Sequence, residues 1–269
     1  MNLSPRDRNR TPPPGPARVV VAGVGHEFPS ERGPVRAIER VDLAIEPGDF
    51  VSLAGPSGCG KTTLLKILAG FTFPSEGSVT VGDREVQGPD PERGVVFQQA
   101  NLFPWLSVRA NVEFGPRMAG ASKAERRSRS DELLALVGLE EFGDHRPYEL
   151  SGGMQQRAQI ARVLATRPAL LLMDEPFGAL DALTRLRLQN ELRRLWLETG
   201  TTVLFITHSV DEAAFLGSRV LVMSPRPGTI VFDEPTPYGR SEDLPEDPRS
   251  TPEFIAYRDR VGAAIHASG

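Results

Sequence analysis

The chain has 269 residues, 39% hydrophobic and 25% charged, a globular composition long enough for one large domain or two small ones. Its formal net charge of −4 and pI near 5.7 supply no overall positive field for a nucleic-acid backbone, so nucleic acid is not expected as a partner. The single cysteine, Cys59, excludes an intramolecular disulfide and points to a reducing compartment. No stretch approaches the roughly 18 consecutive apolar residues of a membrane span.

Residues 1–17 carry five prolines and three arginines and too few apolar side chains to form a core, so a disordered tail is expected there. Val19-Val20-Val21, Val41 to Ile45 and Phe50 to Ala54 read as strands, with Pro47-Gly48-Asp49 turning between the last two. Gly77 to Val81, closed by Gly82-Asp83, suggests a further strand pair. From Ser107 to about Ala165 the pattern becomes helical, with a charged stretch at 122–132 and punctuation at Gly138, as for an inserted helical layer. Three short apolar strands follow, at Leu170 to Met173, Thr202 to Ile206 and Val220 to Met223. The amphipathic segment Leu183 to Leu197 separates the first two. Strands that are apolar throughout and alternate with helices predict a parallel sheet covered on both faces.

Gly55-Pro56-Ser57-Gly58-Cys59-Gly60-Lys61-Thr62 matches G-x-x-x-x-G-K-[ST] between the strand ending at Ala54 and the helical run beginning at Thr63. That context makes the pattern specific. Its backbone N–H groups and a helix N-terminus would cradle phosphates, Lys61 would reach the β and γ phosphates, and Thr62 would offer a hydroxyl to Mg²⁺. Cys59 fills a variable position of the loop. Asp174-Glu175 stand at the carboxyl end of the strand from Leu170, the edge where open parallel sheets bind ligands. Asp174 suits Mg²⁺ through its water shell, and Glu175 could polarise an attacking water.

One stretch has no packing rationale: Leu150-Ser151-Gly152-Gly153-Met154-Gln155-Gln156-Arg157 places two glycines after a serine and runs into a helix-forming stretch. Taken alone, a serine and glycines before a helix are most simply an N-cap with a tight turn. Together with the two phosphate-site motifs, however, it makes residues 18–235 closely resemble the nucleotide-binding subunits of ABC transporters. The resemblance implies a P-loop NTPase (RecA-like) α/β fold, a parallel-sheet core with a small antiparallel β subdomain and a helical subdomain inserted at about residues 100–165. Residues 236–269 are then a C-terminal extension with a terminal helix from Thr251 to Ala267.

The resemblance also implies site roles. Ser151, Gly152 and Gly153 would contact, across a homodimer interface, the γ-phosphate held by a second copy's P-loop. Gln98, as an isolated glutamine merely a surface residue, would be the Q-loop residue sensing Mg²⁺ and the nucleophilic water. Asp181, in Gly178-Ala179-Leu180-Asp181, would bridge subunits, and His208 would bond the γ-phosphate. Phe28 stands where the family places an aromatic on adenine, although burial in the small sheet remains open and His26 is a competing base contact. Thr63 completes the P-loop, and the cofactors are ATP and Mg²⁺. Two departures, Met154 in place of the commoner glutamine and Ser209 in place of a frequent aspartate, remove no phosphate ligand.

Phe103-Pro104-Trp105, Met173 to Arg185 and Arg226-Pro227-Gly228 look like the nitrate/sulfonate/taurine branch of bacterial importers. This implies an ATPase at the cytoplasmic face of the membrane, peripheral through separate permease subunits and served by a solute-binding protein. Phe103 and Trp105 are then docking residues for the permease, with burial in the helical layer as the competing reading. A soluble ABC ATPase with a regulatory role and no transport partner is the alternative function.

Overall fold

The computed structural model describes residues 15–31, 33–241 and 248–267. Most of the expected disordered tail therefore lies outside the described residues. Ala17 is tied down, its N–H donating to Ala169 O and its carbonyl accepting from Thr202 Oγ1.

Two sheets organise the chain. The first is antiparallel, in the order β2 (Val35–Ile45), β1 (Val19–Phe28), β4 (Glu76–Val81), β5 (Arg84–Glu85). The second runs β10 (Ile230–Pro235), β9 (Arg219–Met223), β3 (Phe50–Ala54), β8 (Thr202–Ile206), β7 (Leu170–Asp174), β6 (Arg93–Val96), parallel except for β10. The predicted strands all fall on these elements. β1 extends well past Val21 because the chain runs on through register shifts around Gly23 and Gly25, which interrupt the apolar pattern without ending the strand. β10 was not foreseen: an edge strand with alternating partial exposure and a closing proline carries a weak signal.

Alternation along the central strands builds two cores. Val51 and Leu53 of β3, with Leu170 and Leu172 of β7, face α1 (Lys61–Ala69), whose Leu64, Leu65, Ile67 and Leu68 fill the space between the two sheets. Phe50, Leu171, Met173 and Phe205 point the other way. There they meet α2 (Val108–Met118), α3 (Lys123–Leu136) and α4 (Gly152–Leu164) of the helical layer, together with α5 (Ala182–Thr199) and α6 (Val210–Leu216). The terminal helix α7 (Pro252–Ala267) buries Phe254, Tyr257 and Val261 in this second core. Among the described residues, no helix is long and apolar enough to cross a membrane.

Candidate nucleotide site

The sharp turn from β3 into α1 is possible because glycines occupy positions that other residues could not. Gly60 has φ +109°, and a Cβ there would come within 3.0 Å of Ala37 O and Ile38 Cγ1. A Cβ on Gly55 would lie 2.6 Å from Met223 O. Lys61 is buried, and its Nζ donates to Gly55 O (2.8 Å) and Pro56 O (2.9 Å), which folds the ammonium over the loop. Cys59 is buried beneath it, with Sγ 3.6 Å from Lys61 Nζ. No side chain caps the N-terminus of α1, so its first-turn N–H groups remain available to an anion at the positive end of the helix dipole. Ser57 and Gly58 form the exposed tip of the loop, and Thr63 lies in the first turn of α1.

Thr62 Oγ1 donates to Asp174 Oδ1 at 3.2 Å, joining the loop to the end of β7. Burial pushes the Asp174 carboxyl above its ordinary range; the Thr62 hydrogen bond opposes the shift, and the neighbouring Glu175 charge adds to it. Glu175 follows with φ +45°, a left-handed conformation costing a non-glycine residue about 1 kcal/mol or more. That turn swings its carboxylate out of the strand. Glu175 Oε2 accepts from Gln98 Nε2 at 3.2 Å and lies 3.2 Å from His208 Nδ1. Strands β6 and β8, on either side of β7 in the sheet, thus deliver two side chains to one oxygen of Glu175.

The remaining predicted residues form other groups. Ser151 caps α4, its Oγ accepting from Met154 N at 3.3 Å, while Gly152 and Gly153 begin the helix. A Cβ on Gly153 would meet Ala179 O at 3.1 Å, so the turn packs directly on Gly178-Ala179-Leu180. Asp181 caps α5 by accepting from Thr184 N at 3.0 Å, a bond that lowers its carboxyl pKa. Among the described residues, no hydrogen bond or ion pair joins Ser151, Gly152, Gly153 or Asp181 to the loop at 55–62. Phe28 ends β1 with 43% of its surface exposed, so it is not buried in the small sheet. It meets His26 edge to face at 4.5 Å, and His26 is itself buried with both ring nitrogens unpartnered.

Sequence reasoning missed the residues that hold Gln98 in place. Gln156 Nε2 and Gln159 Nε2, both buried on α4, donate to Phe97 O at 3.0 and 2.8 Å. Gln159 Oε1 accepts from Asn101 N at 2.8 Å. The signal was present: two amides on the inward face of a helix require partners, and the carbonyl preceding Gln98 is one. Phe103, expected to be exposed, is half-buried against Phe114 and the Arg162 guanidinium, whereas Trp105 is 69% exposed.

The family model for ABC transporters matches residues 38–178. The chain belongs to the ABC transporter family. A relative named only as an ATP-binding protein, from Brucella abortus (strain 2308), is 53% identical over 86% of this chain and 88% of its own length. The taurine import ATP-binding protein TauB of Jannaschia sp. (strain CCS1) is 50% identical over 85% of this chain and 86% of its own. Among solved structures, a dimeric ATP-binding cassette in a post-hydrolysis state with ADP and Pi superposes with a TM-score of 0.74 at 36% identity. It covers 81% of this chain and 98% of that one. This ABC protein is an ATPase.

Proposed function

We propose that the chain energises a bacterial importer for a small solute of the nitrate/sulfonate/taurine type, working as a homodimer against two permease subunits that a solute-binding protein supplies. The observation that carries the catalytic half of this reading is the convergence of Gln98 and His208 on Glu175 Oε2 beside the Thr62–Asp174 pair. The import half is supported by the similarity to TauB.

The residues fit Mg²⁺ with a nucleoside triphosphate. Thr62 and Asp174 are hard oxygen donors 3.2 Å apart, beside an uncapped helix N-terminus and a lysine folded over glycines. The metal, when bound, would neutralise charge on the phosphate oxygens. Lys61 and the N–H groups of α1 would hold the β and γ phosphates, and Thr62 and Asp174 would hold the metal. Phe28, at the exposed end of β1, stacks on the base. Glu175 accepts the proton of the attacking water, and Gln98 and His208 orient its carboxylate and then the water and γ-phosphate. Ser151, Gly152, Gly153 and Asp181, grouped apart from the P-loop, serve the nucleotide of a second copy. Exposed Trp105 supports a docking surface for the permease, and on this reading the chain works peripherally at the cytoplasmic face of the membrane.

The test isolates the tagged chain from detergent-solubilised membranes. Recovery of a polytopic permease that stimulates ATP hydrolysis is expected. A chain that copurifies with no membrane protein and regulates a soluble complex instead would overturn the transport reading.

A further inference from the structure

The His208 loop is pinned from a place the catalytic machinery does not include. Thr207 Oγ1 accepts from Ser209 N at 3.0 Å and donates to Glu212 Oε2 at 2.5 Å, so one hydroxyl spans the backbone on both sides of His208. Ser209 Oγ in turn accepts from Glu212 N at 3.3 Å. Glu212, buried on α6, uses its other oxygen to accept from Gln189 Nε2 of α5 at 3.2 Å. Gln189 is buried as well, and its Oε1 accepts from Arg249 Nη2 at 2.6 Å.

Arg249 belongs to the segment after the ATPase fold, just before α7, and its guanidinium lies 3.9 Å above the Phe215 ring of α6. That segment is docked firmly: Phe254, Tyr257 and Val261 are buried, and Tyr257 Oη donates to Glu234 O at 3.1 Å.

The chemistry of the chain is directional. Arginine only donates and an ionised glutamate only accepts, so an amide between them has one satisfactory orientation, with oxygen toward Arg249 and nitrogen toward Glu212. Remove Arg249 and the amide is free to turn, leaving Glu212 a buried carboxylate short of a donor. The nearest other cation, Arg185, has its Nε 4.0 Å from Glu212 Oε1.

We propose that Arg249 is a positioning residue for His208: the C-terminal segment sets the switch loop through Gln189, Glu212 and Thr207, and so couples its own docking to ATP hydrolysis. This rests on the reading of His208 given under Proposed function. Arg249→Met keeps apolar contact with Phe215 and deletes the donor. In the full chain it should lower kcat for ATP about 3- to 10-fold, the scale of one hydrogen bond felt at a coupled site. MgATP affinity should stay near wild type, Tm should fall by several degrees as the buried carboxylate loses its donor, and Arg249→Lys should restore part of both the rate and the Tm.

The deciding measurement is a double-mutant cycle. In a His208→Ala background Arg249→Met should cost nothing further, because the residue it positions is gone; a purely structural arginine would cost the same factor in both backgrounds. Equal costs, or a silent Arg249→Met beside an impaired His208→Ala, overturn the inference alone. A His208→Ala chain hydrolysing at the wild-type rate overturns the reading of His208 and the inference with it. Should Arg249→Met fail to fold, Arg249→Lys carries the same cycle.

Discussion

Glu175→Gln separates binding from chemistry at this site. The side chain is 23% exposed, and its Oε2 serves both Gln98 and His208. Glutamine keeps one acceptor oxygen and nearly the same shape, and with that oxygen at the Oε2 position both contacts survive. The stability change should stay within about 1 kcal/mol, as for a partly exposed polar pair. What is lost is the capacity to take a proton from water. Loss of a positioned general base costs about 10²- to 10⁴-fold in rate, or roughly 2.7–5.5 kcal/mol of barrier. Lys61, Thr62 and Asp174 are untouched, so MgATP should remain bound between the P-loop of one copy and Ser151 of the other. Phosphate release should fall by that factor, and size-exclusion chromatography should show a dimer only with MgATP. A variant that hydrolyses at the wild-type rate and stays monomeric would refute both the base assignment and the shared site.

Three further outcomes follow from the geometry. Lys61→Ala removes the ammonium folded over Gly55 and Pro56, and at about 1.5–3 kcal/mol per charged hydrogen bond it should weaken MgATP binding at least 10-fold in equilibrium titration. Trp105→Ala removes a side chain about two-thirds exposed, so the stability cost should be near a third of the roughly 1.5–3 kcal/mol for full burial, with assembly onto the permease weakened and hydrolysis by the isolated chain near wild type. Asp174 has a folded pKa raised by burial above its ordinary 3.8, so its stabilising protonated form is fully present below that value and lost as pH rises through the folded pKa. Asp174→Asn keeps the acceptor for Thr62 and removes the buried charge: the nucleotide-free variant should melt higher than wild type at pH 7, by a margin that shrinks as pH falls, while Mg²⁺-dependent hydrolysis collapses.

The parts legible in the sequence were those where a local rule and the fold agree. Phe50–Ala54 and Thr202–Ile206 are buried on both faces and bounded by turns, so their apolar runs mark their own ends. The P-loop is a backbone conformation that only glycines at fixed intervals permit, and so it is written in residue identity. The edge strand β10 and the long β1 were harder, because partial exposure and register shifts dilute the period-2 signal. At the site, Glu175 and Asp174 could be located from their place at a strand end. The partners of Glu175 could not be found that way, since Gln98 and His208 converge from elements far apart in the chain, and the Gln98 segment is in turn held from α4 by Gln156 and Gln159. Trp105 and Phe103, two positions apart, show the same limit: which of two neighbouring aromatics is exposed depends on Phe114 and Arg162, and no local pattern contains them.

The turn at Ser151 makes sense once its neighbours are considered. A hydroxyl capping its own helix needs no second glycine, yet Gly153 sits where a Cβ would press on Ala179 O. Ala179 belongs to the tight turn that leaves Glu175: Gly178 N donates to Glu175 O at 3.2 Å, and Leu180 N donates to Phe177 O at 3.1 Å. Leu180 and Phe177 are buried in one core, so the short segment between Glu175 and Asp181 cannot absorb a displacement by bending. A phosphate that drew the Ser151 turn toward a second copy would therefore load the backbone carrying this copy's own Glu175. On the function proposed above, each copy would give its serine turn to one nucleotide and its glutamate to the other, and the close packing of Gly153 on Ala179 would couple the first to the second.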